Sequence, residues 1–294
     1  MGYDVAWGAK AGTARYEREL DRLRTAIDRA DAVVVGAGAG LSTSAGFTYA
    51  GERFERLFGD FIERYGFADM YTAGFYAFDT PEEQWAFWSR HIWYNRYVDA
   101  PKDTYERVLR LVAGKEHFAI TTNVDHCFQK VGWDKKRLFY TQGDYGLWQC
   151  SVPCHQATYD NYEVVKAMVE QQHDMRVPSQ LVPRCPRCGE PMSMNLRADD
   201  TFVEDEGWHA AAQRYQSFLE RWCASRVVYL ELGVGGNTPG IIKYPFWRLT
   251  AQNPLATYAC VNRGEALAPS EIRGRSILVD DDIHEVLGRL LGDE

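Results

Sequence analysis

Two hydrophobic rhythms run along the chain. In residues 16–30, Tyr16, Leu20, Leu23 and Ile27 recur every three or four positions with charges between them. That spacing predicts an amphipathic helix. Ala32, Val33, Val34 and Val35 then form a short β-branched run behind a charge, the pattern of a buried strand. Gly36, Gly38 and Gly40 follow at alternate positions, and after them Ser42, Thr43 and Ser44, residues that favour helix starts. Strand-like runs return at 117–122, 137–141, 227–232, 257–261 and 276–279. Helical patterns fill 101–113, 207–223, 239–252 and 283–291, with a kink expected at Pro245. Strands alternating with helices predict an α/β fold built on a parallel, doubly wound, Rossmann-like sheet.

Two stretches break the rhythm. Residues 47–98 show no strand pattern and are rich in aromatics, among them Trp85, Phe87, Trp88, Trp93, Tyr94 and Tyr97. Pro81 followed by Glu82 and Glu83 starts a helix there. We expect helices covering a cleft, with the aromatics as core rather than as a ligand platform. Residues 144–205 read as loop-rich and contain Cys150, Cys154, Cys185 and Cys188. The expected organisation is a sheet domain from 14–46, 99–143 and 206–294, with 47–98 and 144–205 forming a smaller inserted domain.

Composition narrows the function classes. With 294 residues, 46% hydrophobic and 25% charged, the chain can build a sizeable core. A net charge of −8 argues against a general nucleic-acid binder, which would be basic. No apolar run reaches membrane-span length, and the start lacks the apolar core of a signal peptide. The expectation is a cytoplasmic protein with no membrane partner, whose seven cysteines are free thiols or metal ligands.

Ligands of such sheets bind at the carboxyl ends of strands. The glycine turn, Asn123 and Asp125, Gln142, and the segment 233–237 all fall at predicted strand ends. Strand, glycine turn and helix start is a geometry that brings backbone N–H groups to a phosphate, although an ordinary tight turn reads the same way. The glycines do not fit GxGxxG, and the Lys of a P-loop is absent. Asn123 and Asp125 also suit helix caps, and Gln142 suits a polar loop. The cysteines run C-x3-C, thirty residues, C-x2-C. Short paired spacings let two thiolates reach one ion, and two pairs complete a tetrahedral, structural zinc shell. His155 beside Cys154 is a substitute ligand only if one thiolate is missing. Cys127, Cys223 and Cys260 read as small core residues.

Together these pieces resemble a sirtuin. Gly38-Ala39-Gly40-Leu41-Ser42 with Ala45-Gly46 resembles the family's opening NAD loop, and Thr122-Asn123-Val124-Asp125 its Gln-Asn-Ile-Asp segment. Gly233-Val234-Gly235 loosely resembles its Gly-Thr-Ser turn, and Val261-Asn262 and Asp282-Ile283 its late adenosine contacts. The resemblance implies NAD as co-substrate between the two domains. It implies Gly38, Ala39, Gly40 and Ser42 at the diphosphate, Asp125 at the nicotinamide carboxamide and Asn123 at the ribose. Asn262, Asp282 and Ile283 fall at the adenosine, and Leu41, Phe47, Thr122, Gly233, Val234, Gly235, Asn237 and Arg263 join the NAD contacts.

The departures are specific. Where sirtuin deacylases carry His-Gly, this chain has Gln142-Gly143. Gln-Gly-Asp-Tyr-Gly-Leu-Trp-Gln-Cys at 142–150 and Asn-Leu-Arg-Ala-Asp-Asp at 195–200 resemble the class M sirtuins. That subgroup occurs beside macrodomain proteins and is associated with ADP-ribosylation of lipoyl-carrier proteins. The resemblance implies that deacylation needs a histidine as general base on a ribose hydroxyl. A glutamine has no titratable group near neutrality, so deacylation should be poor. The expected function is NAD-dependent mono-ADP-ribosyl transfer to a protein with release of nicotinamide, Asn123, Asp125 and Gln142 being the catalytic set. A lipoylated carrier domain and a macrodomain hydrolase are the expected partners. A deacylase, a free-NAD hydrolase and an NAD sensor are the rivals. Arg197, Asp199 and Asp200 are either acceptor contacts or a solvated charge run.

Overall fold

A computed structural model describes residues 5–236 and 238–293. Its centre is a seven-stranded sheet. After the short strands β1 (Val5–Trp7) and β2 (Ala9–Lys10), helix α1 (Ala14–Arg29) leads into β3 (Ala32–Ala37). All six residues of β3 are buried, as a central strand covered on both faces requires. The chain continues through α2 (Ala39–Ser44), α3 (Glu52–Tyr65), α4 (Met70–Ala73), α5 (Pro81–Ile92) and α6 (Thr104–Val112) to β4 (Glu116–Thr121). Then come α7 (Cys127–Lys130) and β5 (Leu138–Tyr140).

The stretch expected to be loop-rich is partly ordered into regular elements. It holds β6 (Gly143–Cys150), β7 (Tyr159–Asp160), α8 (Tyr162–Gln171) and β8 (Met192–Leu196). β6 pairs antiparallel with both β7 and β8. Seven of the eight β6 residues are buried, so the strand shows no alternation that a sequence reading could detect.

The chain closes through α9 (Glu206–Trp222), β9 (Val227–Leu232), α10 (Lys243–Gln252), β10 (Thr257–Val261), β11 (Leu267–Pro269), β12 (Ser276–Asp280) and α11 (Ile283–Leu291). The main sheet runs β2-β12-β10-β9-β3-β4-β5, and every pairing in it is parallel. Helices α1, α6 and α11 cover one face, and α9 and α10 the other. This is the doubly wound, Rossmann-like sheet that the alternation predicts. A third apolar cluster joins Phe54, Phe58 and Phe61 of α3 and Trp85 and Phe87 of α5 to Trp148 and Cys150 of β6.

Three local expectations are corrected. Helix α2 begins at Ala39 behind an extended Gly38, so Ser42, Thr43 and Ser44 fill its last turn instead of capping its start. Helix α10 starts at Lys243, which puts Pro245 in the first turn, where a proline costs no hydrogen bond and makes no kink. Cys223 is exposed, whereas Cys127 and Cys260 are buried.

Candidate active site

Strand β3 lies between β4 on one side and β9 on the other. The chain departs from β3 in opposite directions, so its carboxyl end is the switch point where open α/β sheets form a ligand crevice. The glycines there answer to close packing. A Cβ on Gly38 would lie 2.6 Å from the Gly233 carbonyl oxygen, and one on Gly40 would lie 2.7 Å from Gly233 Cα. Gly38 N–H donates to Leu232 O at 3.0 Å, and Gly40 N–H donates to Gly233 O at 2.9 Å. Both amides are therefore spent on the neighbouring turn.

Beside this turn opens a cavity of about 790 Å3, within the usual range for ligand sites. Ala39, Ser42, Phe47, Thr122, Asn123, Asp125 and Gln142 all line it. Asp125 is 6% exposed and accepts on both oxygens. Its Oδ2 accepts from Ser42 Oγ at 2.5 Å and from the Tyr105 hydroxyl at 3.2 Å, and its Oδ1 accepts from Cys127 N–H at 3.0 Å. Asn123 Nδ2 donates to Gly38 O at 2.9 Å and to the Tyr105 hydroxyl at 3.2 Å. The Gln142 backbone carbonyl accepts from Arg197 N–H at 3.1 Å. Gln142 is half-buried and lines the cavity.

The remaining NAD candidates lie outside the cavity lining. Gly233 and Val234 are buried. Asn262 Nδ2 donates to Val234 O at 3.1 Å. Asp282 caps α11, its Oδ1 accepting from His284 N–H, Glu285 N–H and Ser44 Oγ, while Arg263 approaches its Oδ2 at 3.5 Å. Gly40 and Leu41 belong to α2, Ile283 is buried in the core and Gly235 is exposed. Asn237 lies outside the described residues.

The cavity also has apolar walls, with Tyr71, Phe75, Trp88, Met194 and Leu196 among the lining residues together with Arg197. Arg197 donates to Glu204 at 2.5 Å and lies over the Phe202 and Trp208 rings. Asp199 and Asp200 are exposed and do not reach the cavity; the Asp199 carboxylate accepts from Thr201.

Sequence reasoning missed Tyr105 and a buried polar chain. Tyr105, on the inner face of α6, ties Ser42, Asn123 and Asp125 together. Tyr49 and Tyr145 meet hydroxyl to hydroxyl at 2.9 Å, and Tyr145 meets His91 Nε2 at 2.9 Å. All three line the cavity. Burial, with the charge of Arg53 behind it, pushes His91 down to about 3, so its ring is neutral at ordinary pH. The one available signal was a histidine inside the aromatic run of 85–97.

The four cysteines converge as predicted. All four sulfurs lie within 4.8 Å of one another. Cys150 and Cys188 are 3.5 Å apart, and Cys154 and Cys185 are 3.7 Å apart. A tetrahedral shell with Zn–S near ~2.3 Å needs sulfurs ~3.8 Å apart, so the group fits a structural zinc. His155 Nδ1 lies 3.0 Å from Cys154 Sγ, and its Nε2 is held by the Tyr159 hydroxyl at 2.7 Å, beside a shell that the sulfurs already fill.

No family model matches the chain. A protein ADP-ribosyltransferase of Staphylococcus aureus is 44% identical over 272 residues, covering 92% of this chain and 86% of that one. A probable bifunctional ADP-ribose hydrolase/ADP-ribosyltransferase of Fusarium oxysporum f. sp. cubense is 30% identical over 287 residues; the match covers 92% of this chain and 47% of that longer protein. A Sir2 structure with the inhibitor EX-527, 2'-O-acetyl-ADP-ribose and a deacetylated p53 peptide superposes with a TM-score of 0.60 at 19% identity, covering 93% of this chain and 100% of that chain. A second Sir2 structure, concerned with mechanism and regulation, gives 0.59 at 17% identity over 94% and 98%. The fold is that of the sirtuins. The identity to the Staphylococcus aureus protein, sustained over nearly the whole chain, goes further: this chain belongs to the sirtuin-type, NAD-dependent ADP-ribosyltransferases.

Proposed function

We propose that this enzyme transfers one ADP-ribosyl group from NAD to a protein side chain and releases nicotinamide. The bond from ribose C1' to the nicotinamide nitrogen breaks, its electron pair leaving with nicotinamide. A lone pair of the acceptor forms the new bond at C1', and the acceptor's proton passes to water.

One observation carries this reading. Among the described residues that line the cavity, Gln142 stands where the resemblance places a general-base histidine. Gln142 lines the cavity and carries an amide, which has no titratable group near neutrality. The imidazole on the cavity wall is His91, pushed down to about 3. Asp125 is held in place by three donors, two on Oδ2 and one on Oδ1. Loss of a general base costs a rate factor on the order of 10²–10⁴, which disfavours any path needing a ribose hydroxyl deprotonated. Glycosidic cleavage depends instead on orientation and charge.

Within this reading, Asp125 and Ser42 hold the nicotinamide carboxamide end, and Asn123 sets the ribose. Gln142 orients the acceptor with its side-chain amide. Gly38, Ala39 and Gly40 bring the backbone close to the diphosphate, and Gly235, Asn262, Arg263 and Asp282 lie on the adenosine side, with Leu41 and Ile283 shaping the apolar floor. The apolar part of the cavity lining suits a long aliphatic group on the acceptor, so a lipoylated carrier domain is the proposed target. The Fusarium relative joins a hydrolase and a transferase in one chain, which favours a macrodomain-type hydrolase as the partner that reverses the modification. No helix among the described residues is long and apolar enough to cross a membrane, and we place the enzyme in the cytoplasm.

The test uses labelled NAD with lipoylated and unlipoylated carrier domains. Label on the lipoylated protein with equimolar nicotinamide is the expected result. Free ADP-ribose alone would make the enzyme an NAD hydrolase, and bound but unconsumed NAD would make it a sensor.

A further inference from the structure

The two segments that carry the proposed chemistry are joined by a contact outside the cavity. Asn123 and Asp125 lie on the loop after β4, and Gln142 directly precedes β6. The residue after Asp125 is His126, and the residue two after Gln142 is Asp144. His126 Nδ1 and Asp144 Oδ2 lie 2.5 Å apart. Asp144 is buried, at 4% exposure, and its other oxygen accepts from Arg96 Nε at 2.6 Å and from Gly146 N–H at 2.7 Å. Burial alone would raise the Asp144 pKa, but the His126 hydrogen bond and the Arg96 charge outweigh it and hold the carboxyl below its usual range.

This junction is built at a backbone cost. His126 has φ 65° and ψ 14°, a left-handed conformation that a non-glycine residue adopts only when its surroundings enforce it. Arg96 sits on a single π-helical turn, Trp93–Tyr97, and such turns concentrate at functional sites. A Cβ at Gly146 would come within 2.9 Å of Arg96 Nε, so the guanidinium fits only against a bare backbone. Asp144 thus joins three pieces of chain: the β4 loop, the helical stretch 81–97 and the strand that starts after Gln142. Neither His126 nor Asp144 is among the cavity-lining residues.

We propose that His126 and Asp144 are positioning residues that fix Gln142 relative to Asn123 and Asp125. This rests on the role given to Gln142 above. The tie acts across the cleft between the loop that holds NAD and the residue that orients the acceptor, so its loss misplaces one reactant against the other. A misplacement of about 1 Å is enough to lower a rate on the order of 10²-fold.

The test uses His126→Gly, His126→Asn and Gln142→Ala in the full chain. Glycine accepts the left-handed backbone without a Cβ penalty, so His126→Gly removes the tie without a new strain, and its melting curve checks folding. The expected result is a kcat lowered on the order of 10–100-fold, KM for NAD within twofold, and substantial rescue in His126→Asn, which tolerates the same backbone and keeps a donor. The double variant His126→Gly/Gln142→Ala should be no slower than Gln142→Ala alone, because both act through one group. Full kcat in a folded His126→Gly, or additive losses in the double variant, overturns the proposal. If Gln142→Ala itself retains full transfer, the reading of Gln142 fails instead.

Discussion

Ser42 donates its hydroxyl proton to the Asp125 carboxylate at 2.5 Å across 83 residues of chain. This bond joins the first turn of the sheet to the loop after β4. The Tyr105 hydroxyl reaches both partners, so the carboxylate is fixed in place. A bond to a charged group contributes about 1.5–3 kcal/mol. Ser42→Ala should therefore lower the melting temperature by several degrees and, by releasing Asp125, lower kcat/KM for NAD on the order of 10-fold or more. Steady-state kinetics with varied NAD checks this; an unchanged kcat/KM means the pair is not part of the NAD site.

Gln142→Ala should lower transfer to protein more than it lowers nicotinamide release. Its amide acts on the acceptor, while the leaving group is handled by Asp125 and Ser42. Gln142→His should gain measurable deacylation of an acylated peptide, since it supplies an imidazole whose unperturbed pKa is near ~6.5. Mass spectrometry of peptide and product separates the two activities. Equal losses of transfer and nicotinamide release in the alanine variant argue against this division.

His91 makes stability depend on pH. Its folded pKa lies at about 3, below an unfolded value near ~6.5. Below pH ~6.5 the unfolded chain binds a proton that the folded chain does not, so stability falls as pH drops from ~6.5 toward 3. The effect over that window is on the order of 4–5 kcal/mol. His91→Gln keeps a donor for Tyr145 and removes the titration. Urea unfolding at pH 7 and pH 4.5 should show a smaller difference in the variant than in the parent chain.

Lys243 and Glu231 form a buried ion pair at 2.5 Å, and Tyr258 donates to the same carboxylate at 2.7 Å. Both charged side chains are at most 5% exposed. Removing one partner strands the other, a loss of about 3–5 kcal/mol. Lys243→Met should show that loss in denaturant unfolding, and Lys243→Met/Glu231→Leu should recover much of it. If the single variant is as stable as the parent, the pair is not desolvated in solution.

Zinc should be present at one ion per chain, and strong chelators should unfold the stretch 144–205 while sparing the main sheet. The cysteine shell joins the start of the stretch to its second half, where few regular elements otherwise hold it. Metal analysis combined with hydrogen exchange checks both points; full protection of β6 after metal removal contradicts them.

The sheet and the cysteine quartet were legible because each is local. β3, β9 and β10 announce themselves as apolar runs, and the C-x3-C and C-x2-C spacings need no knowledge of the fold. Gly38 and Gly40 were found for an incomplete reason. Their spacing suggested an anion loop, while the structure shows them making room for Gly233. Ser42 was placed at a helix start, but its hydroxyl is used on a residue far along the chain. Tyr105, His91 and Tyr145 stayed invisible because their partners lie on other elements and their sequence contexts are ordinary apolar faces. Strand β6 was hidden because burial of seven of its eight residues removes alternation, and β7 is only two residues long.

On the reading proposed above, ADP-ribose moves from NAD to a protein in a cavity where Gln142 stands in place of a general-base histidine. The most direct measurement is a single reaction with NAD labelled in the adenylate and in the nicotinamide, a lipoylated carrier domain and an acylated peptide. Adenylate label should appear on the carrier, with nicotinamide released in equal amount and the acyl peptide unchanged. Deacylated peptide formed at a rate equal to nicotinamide release, with an unlabelled carrier, would contradict it.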